Sequence, residues 1–290
     1  LPIMTLYVLF LVLSAAVLHA VWNLISKKAN GKAPFVWLMY IGSTVVYLPL
    51  LVYHIASHEK FQWSAAMLWF SLSSAMLHIA YFLILQKGYR RADLSVVYPL
   101  ARGSGPLLSS IAAILVLRET FRYNIALGLV LILAGVLVIT GLKFKKGDRK
   151  IRAGVLWGTL TGLFIALYTL NDAIAIKQYQ LSPLQLTFSS NTFSILLLFP
   201  FVIGQTSEIK RELREHKWSI LAIAVLSPAA YILVLEALKL APLTVIAPAR
   251  ETSILIGVFM GSKALDERDG KRRIVASILI LCGIVSLSLA

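Results

Sequence analysis

Apolar positions in this chain come in long unbroken stretches, and the polar ones collect in short connections between them. Ten stretches can be delimited: Thr5–Ile25, Ala33–Ile55, Ser64–Leu85, Leu94–Leu117, Ile125–Leu142, Ala153–Ala173, Leu184–Ile203, Trp218–Leu235, Leu243–Met260 and Ile274–Leu289. Each comes close to the roughly 20 residues a helix needs to cross a hydrocarbon core. Lone strands cannot satisfy their backbone groups in lipid, so each stretch is predicted to be a helix. The connections leave no room for a separate soluble domain. The pattern predicts an all-α integral membrane protein with ten transmembrane helices in one membrane domain.

The pattern is also written twice. Leu94-Ser-Val-Val-Tyr98-Pro99-Leu-Ala-Arg102-Gly103-Ser opens the fourth stretch, and Leu243-Thr-Val-Ile-Ala-Pro248-Ala-Arg250-Glu251-Thr-Ser opens the ninth. Ala20-Val-Trp22-Asn23 in the first stretch answers Ala166-Leu-Tyr168-Thr169 in the sixth, and Tyr81 in the third answers Tyr231 in the eighth. Arg118-Glu119 after the fourth answers Asp266-Glu267 after the ninth. The register slips by one residue between proline and arginine, as expected of a diverged repeat. The halves are therefore residues 1–142 and 153–290, joined by a basic linker, 143–152. Five spans per half is an odd number, so the second half must enter the membrane upside down. That makes an inverted repeat, a common plan among secondary transporters.

Composition sharpens this picture. The chain is 59% hydrophobic and 14% charged, with a mean hydropathy of +0.82. Soluble domains are less apolar. A net charge of +15 is large enough for a nucleic-acid surface, but its placement argues otherwise. Of the 28 Lys and Arg residues, all but seven fall in the connections after odd-numbered stretches; Lys60, Arg118, Arg122, Lys177 and Lys239 lie on the opposite face, and Arg102 and Arg250 lie inside stretches. This is a strong positive-inside bias. It predicts a multi-pass protein of the cell inner (plasma) membrane, with cytoplasmic basic loops and both termini on the other side. Anionic lipids are then the partners of the basic face, and no nucleic-acid partner is expected. No cleavable signal peptide is expected, because no basic n-region precedes the first stretch. Cys282 is the only cysteine, which excludes an intrachain disulfide.

A charge inside an apolar span is costly and points to function. Arg102 lies roughly 12 Å into its helix and Arg250 roughly 10 Å into its own, at 1.5 Å per residue. The two helices enter from opposite faces, so both guanidinium groups are expected to meet in one central cavity. Pro99 and Pro248 free backbone carbonyls near them, and Gly103, Gly105 and Pro106 are expected to loosen the fourth helix further; Pro99, Pro248, Gly103 and Gly105 are the candidate gating or hinge positions. The guanidinium fork matches carboxylate or phosphate. Alternatively, each arginine pairs with an internal acid, for which Glu251, Asp172 and Glu236 are the candidates. The same three acids are the candidates for ion coupling, with protons as the coupling ion. Asp172 and Glu236, near the ends of their helices, are expected at the non-basic interface. His19, Trp22 and Asn23 share one helical face, as do His78 with Tyr81 and Tyr168 with Asp172. With Tyr98, these groups are candidates to stack on or hydrogen-bond a solute; interhelical packing is the competing role. The histidines are too few and too scattered for a metal site, and no cofactor is expected.

Soluble-enzyme signatures are absent. There is no GxSxG, HExxH or GxxxxGK[ST], and no space for a nucleotide-binding domain. The chain is expected not to be an enzyme.

These residues resemble the drug/metabolite transporter superfamily, and within it the ten-helix EamA-type permeases. The resemblance covers nearly the whole chain. It rests on His19-Ala-Val-Trp22-Asn23, on the Asp93–Arg102 and Ala241–Glu251 segments, on Ala166-Leu-Tyr168-Thr-Leu-Asn-Asp172, and on Glu119 and Glu267. It implies alternating access around a central cavity lined by helices one, three, four, six, eight and nine, and transport of amino acids, other metabolites or drugs. Members of the superfamily are usually drawn with both termini in the cytoplasm; the loop charges here predict the reverse.

The leading expectation is a secondary transporter for a small organic solute with an acidic group, such as an amino acid or carboxylate. The first alternative is an exporter of cationic or aromatic amphiphiles bound by Glu251 and Trp22, and it turns on whether Arg102 is neutralised internally. The second is a non-transporting membrane enzyme or lipid-handling protein, for which no nucleophile–base cluster is found. One monomer suffices to enclose the cavity.

Overall fold

The computed structural model describes residues 5–29, 31–57, 63–92, 94–140, 149–254, 256 and 270–289. Among them the chain is helical almost throughout, with no strand. The helices are α1 (Leu6–Ala29), α2 (Ala33–Ser57), α3 (Ala65–Arg91), α4 (Leu94–Val116), α5 (Tyr123–Thr140), α6 (Arg149–Lys177), α7 (Pro183–Val202), α8 (Thr206–Leu240), α9 (Leu243–Ala249) and α10 (Gly270–Ser288). Of these, α1, α2, α3, α6, α7 and α8 hold segments long and apolar enough to cross a membrane, and α4, α5 and α10 hold shorter apolar segments. Residues 143–148 of the linker, Asp93, Asp266 and Glu267 lie outside the described residues. Tyr98 and Pro99 lie within α4, but their side chains are outside the described set.

Two elements differ from expectation. α8 begins well before Trp218, because the basic segment ahead of it is itself helical. Arg211 pairs with Glu208 at 2.5 Å and approaches Glu212 at 3.8 Å; a kink at His216 (φ −123°, ψ 15°) then turns the helix into its apolar part. α9 ends after seven residues, inside the span expected to reach Met260; helix resumes at Thr252–Ile254, and residues 255 and 257–260 of that span lie outside the described residues. Beyond Pro248 the backbone tightens. Glu251, Ser253 and Ile254 donate to the carbonyls of Pro248, Arg250 and Glu251, three residues back, at 3.0–3.1 Å. The helix is interrupted at Arg250 and Glu251. Proline cannot donate and its ring clashes with the preceding turn, which favours such a break.

The inverted repeat is legible in the packing. α1 lies on α8 as α6 lies on α3, and α2 lies on α8 as α7 lies on α3. α2 with α7, α4 with α9 and α5 with α10 complete the set as pairs of equivalent helices. Glycines set the closest approaches. At Gly158 of α6, a Cβ would lie 2.8 Å from the Leu100 Cβ and 2.9 Å from the Val97 carbonyl of α4; at Gly162 it would strike Ser104. α4 runs unbroken from Leu94 to Val116, and the missing Cβ of Gly105 makes room for Ile165, whose Cγ2 would otherwise be 2.8 Å away.

The larger hydrophobic core lies toward the face opposite the basic connections. It joins Val8, Leu11 and Val12 of α1 with Met67 and Phe70 of α3, Ala173 and Ile176 of α6, Leu235 and Leu238 of α8, and α9. A smaller cluster, with Ala29, Phe35, Leu38, Ile220 and Ile223, sits toward the basic face. The non-basic side is also tied by polar bonds. Glu119 accepts from the Leu243 and Thr244 amides at 2.7 and 2.9 Å, capping α9. Lys177 reaches Glu119 at 3.8 Å and donates to the Ala241 carbonyl at 2.8 Å. Arg118 takes a positive φ of 54°, and the Glu119 amide returns to the Ala113 carbonyl at 3.3 Å, a left-handed turn that ends α4 and brings Glu119 to α9.

Candidate functional site

α4 and the interruption after α9 bring the two arginines together. Arg102, Arg250 and Glu251 line one small cavity with Pro106, Ser109, Ile165, Thr169 and Ala247. Its volume is about 10 Å³, roughly what one water molecule needs. The guanidinium groups meet as the depth arithmetic predicted, yet their partners differ. Arg102 Nε lies 2.9 Å from Glu251 Oε2, and its Nη2 donates to Ser253 Oγ at 3.2 Å. Glu251 thus pairs across to the other half and not with its sequence neighbour. The tightened turn carries it over, since consecutive residues point away from one another on a helical backbone.

Arg250 is placed differently. It is half-buried, its guanidinium carbon sits 6.0 Å above the Tyr231 ring, and among the described residues no carboxylate lies within 4 Å of it. Two further groups in this region lack partners among the described residues: the buried Trp22 Nε1 and the Thr169 hydroxyl. An unpaired buried donor is costly and is met by an acceptor when one arrives. His19 stands edge-on to Trp22 at 5.0 Å and is near enough to feel the charge of both arginines. Asn23 spends its amide on the His19 carbonyl at 2.7 Å and is exposed.

Next to Arg250 lies an aromatic cluster built on α3, α6 and α8. His78 stacks on Tyr168 with centroids 4.1 Å apart, stands edge-on to Tyr231 at 5.4 Å, and Tyr81 meets Tyr168 at 5.8 Å. Asp172 is at its centre and is fully buried. It accepts from the Tyr231 hydroxyl, from Ser74 Oγ at 3.0 Å and from Asn171 Nδ2 at 2.9 Å. The interfacial position expected for Asp172 is therefore corrected: α3 and α8 cover that end of α6. Glu236 does lie near a surface, where it pairs with Lys239 at 3.0 Å on the far side of α8 from Tyr231. A second, roomier cavity of about 450 Å³ lies there, lined in part by Tyr47, His54, Ser182 and Leu233.

The structure thus gathers Arg102, Arg250 and Glu251 around the cavity, with His19 and Trp22 within reach, and His78, Tyr81, Tyr168 and Asp172 in the adjoining cluster. Glu236 stands apart. Pro248 is buried at the helix break, and Gly103 makes only ordinary contact with Leu133. Sequence reasoning omitted Ser74, Asn171, Tyr231 and Ser253 from the site. Tyr231 carried a signal, as the repeat partner of Tyr81; Ser74 lies one helical turn before His78. Among the described residues no three His, Cys, Asp or Glu side chains gather in a way that could hold a metal ion.

Comparison with known proteins agrees with this architecture. Residues 6–141 and 152–289 each match the model of the EamA-like transporter family. A solved structure described only as "Crystal structure of protein" superposes with a TM-score of 0.74, at 14% identity, over 96% of this chain and 95% of that one. At such low identity the likeness concerns the fold. No curated protein matches the chain.

Proposed function

Taking as premise that the chain belongs to the EamA-like transporter family, membrane carriers of small solutes, we propose that its solute is a small organic molecule with an acidic group, moved by alternating access. The observation that carries this reading is Arg250. It is a half-buried cation within the membrane domain, facing the shared cavity, with no carboxylate within 4 Å among the described residues. Arg102 is matched by Glu251, the condition on which the cationic alternative turned, but the same pair occupies Glu251, the acid which that alternative assigned to the cation; an incoming carboxylate meets the charge of Arg250. The unpaired Trp22 and Thr169 donors add places for polar atoms of the solute. Alternating access is supported by the inverted packing and by a conformation packed shut on the non-basic side, with little space at the arginines. The loop charges favour the inner (plasma) membrane, basic connections inward. A specific observation favours a second reading: the cluster of Tyr81, Tyr168, Tyr231 and His78 suits an aromatic amphiphile.

One experiment separates them. Thermal unfolding of the purified protein is followed against amino acids, carboxylates, phosphonates, amines and aromatic dyes. An acidic solute at 100 times its Kd is expected to stabilise the wild type by about 2.7 kcal/mol, and Arg250→Ala to lose that gain. Stabilisation by amines or dyes alone overturns the acidic reading in favour of the second.

A further inference from the structure

One buried titratable cluster has no part in holding an anion. Of the candidate coupling acids, Glu251 is paired with Arg102 and Glu236 with Lys239. Asp172 is fully buried and makes no ion pair within 4 Å among the described residues; its three partners, Tyr231, Ser74 and Asn171, are neutral donors. An isolated carboxylate charge at that depth is costly, and a proton removes it.

The geometry also supplies a route. His78 Nδ1 lies 2.8 Å from the Ser74 carbonyl, which can only accept, so Nδ1 carries the hydrogen and Nε2 the lone pair. The same Nδ1 is 3.3 Å from Ser74 Oγ, which donates to Asp172 Oδ2 at 3.0 Å. His78 is half-buried where Asp172 is sealed. We propose that Asp172 is a proton-binding site, loaded through His78 and Ser74. A proton added at Nε2 releases the Nδ1 hydrogen to Ser74 Oγ, and the Ser74 hydrogen passes to Asp172 Oδ2. Histidine and serine end neutral, and the carboxyl ends protonated. Protonated Asp172 must then donate where it accepted. The Tyr231 hydroxyl can turn to receive that hydrogen, and Arg250 lies over the Tyr231 ring. The titratable and charged groups facing the site are His78 from α3, Tyr168 from α6, Tyr231 from α8 and Arg250 after α9. That the site serves transport rests on the carrier reading; its existence does not.

Infrared difference spectroscopy of the full chain after a pH jump tests this without any solute, so its failure leaves the acidic-solute reading intact. Acidification is expected to raise the carbonyl band of a buried protonated carboxyl. Asp172→Asn removes that band, Asp172→Glu shifts it, and Glu251→Gln retains it. Ser74→Ala and His78→Gln keep the band but slow its appearance by about 100-fold or more, the scale of a positioned proton-transfer group. A band that survives Asp172→Asn, or vanishes in Glu251→Gln, overturns the site. Unchanged kinetics in both relay variants overturn the route. Suppression of the band by sodium at fixed pH makes the site a metal-cation site and overturns the proposal as well.

Discussion

α4 and α9 open with the same proline–arginine motif but do different things with it. α4 runs unbroken past Pro99 and Arg102 and lies close against α6. α9 is interrupted at Arg250 and Glu251, with its hydrogen bonds tightened to three-residue spacing. The seats of the two helices differ. α4 rests on Gly158 and Gly162 of α6, where a side chain would collide with it. By the Trp22–Tyr168 alignment the equivalent positions of α1 are Val12 and Ala16, so α1 carries no such pair of glycines. A motif repeated in sequence thus sits in an interrupted helix in one half and in an unbroken, closely packed helix in the other. The held arginine, Arg102, is also the paired one, and the arginine at the break has no carboxylate within 4 Å among the described residues, which is why the proposed function rests on it.

Substitutions can break this comparison, and the largest effect is expected at the ion pair. Glu251→Ala strands Arg102 in the interior and should destabilise by about 3–5 kcal/mol, whereas Arg102→Met combined with Glu251→Leu should recover most of the loss. Chemical unfolding of the single and double variants decides it. If the double variant is no better than the singles, the two residues are not a pair.

Arg250→Ala should barely move the unfolding midpoint of the solute-free protein. It should cancel the solute-dependent gain, worth about 2.7 kcal/mol at 100 times Kd. Equal loss of intrinsic stability in Arg250→Ala and Arg102→Ala would erase the distinction between the halves.

The seat itself comes next. Gly162→Ala should cost about 1–3 kcal/mol by overpacking against Ser104, although alanine is the better helix former. The equivalent Ala16→Gly should lose only about 1 kcal/mol, from helix propensity. Similar costs from the two would mean that glycine does not set the α4–α6 approach. Smaller still is the cap: Glu119→Ala should cost about 1 kcal/mol, through the lost bonds to α9. The smallest effect is expected at Glu236→Gln, less than about 1 kcal/mol, because the Lys239 pair is partly exposed and screened.

Much of this was readable before any coordinates. Long apolar stretches forced helices, odd spans per half forced inversion, and the matched arginines pointed to one another across the centre. The boundaries of α8 and α9 were not readable, because hydropathy does not report a polar helix ahead of a span or a break inside one. The burial of Asp172 was not readable for a related reason. Counting residues from the end of α6 places it near the surface, but burial depends on α3 and α8 folding over it. Tyr231 and Ser74 carry ordinary side chains whose importance comes only from what they touch.

By itself, then, the sequence determined that the chain lives in a membrane, that it has two inverted halves, and which few charges must be explained there. These follow from local rules, because a backbone in lipid has no water to satisfy it and a buried charge has nowhere inexpensive to stand. Tertiary structure alone decided which arginine Glu251 neutralises, in which half the helix breaks after its proline, and which acid is buried with no ion pair among the described residues. Those outcomes depend on contacts between residues far apart along the chain: of two near-identical motifs, one lies in a helix packed on the glycines of α6 and the other in a helix that is interrupted.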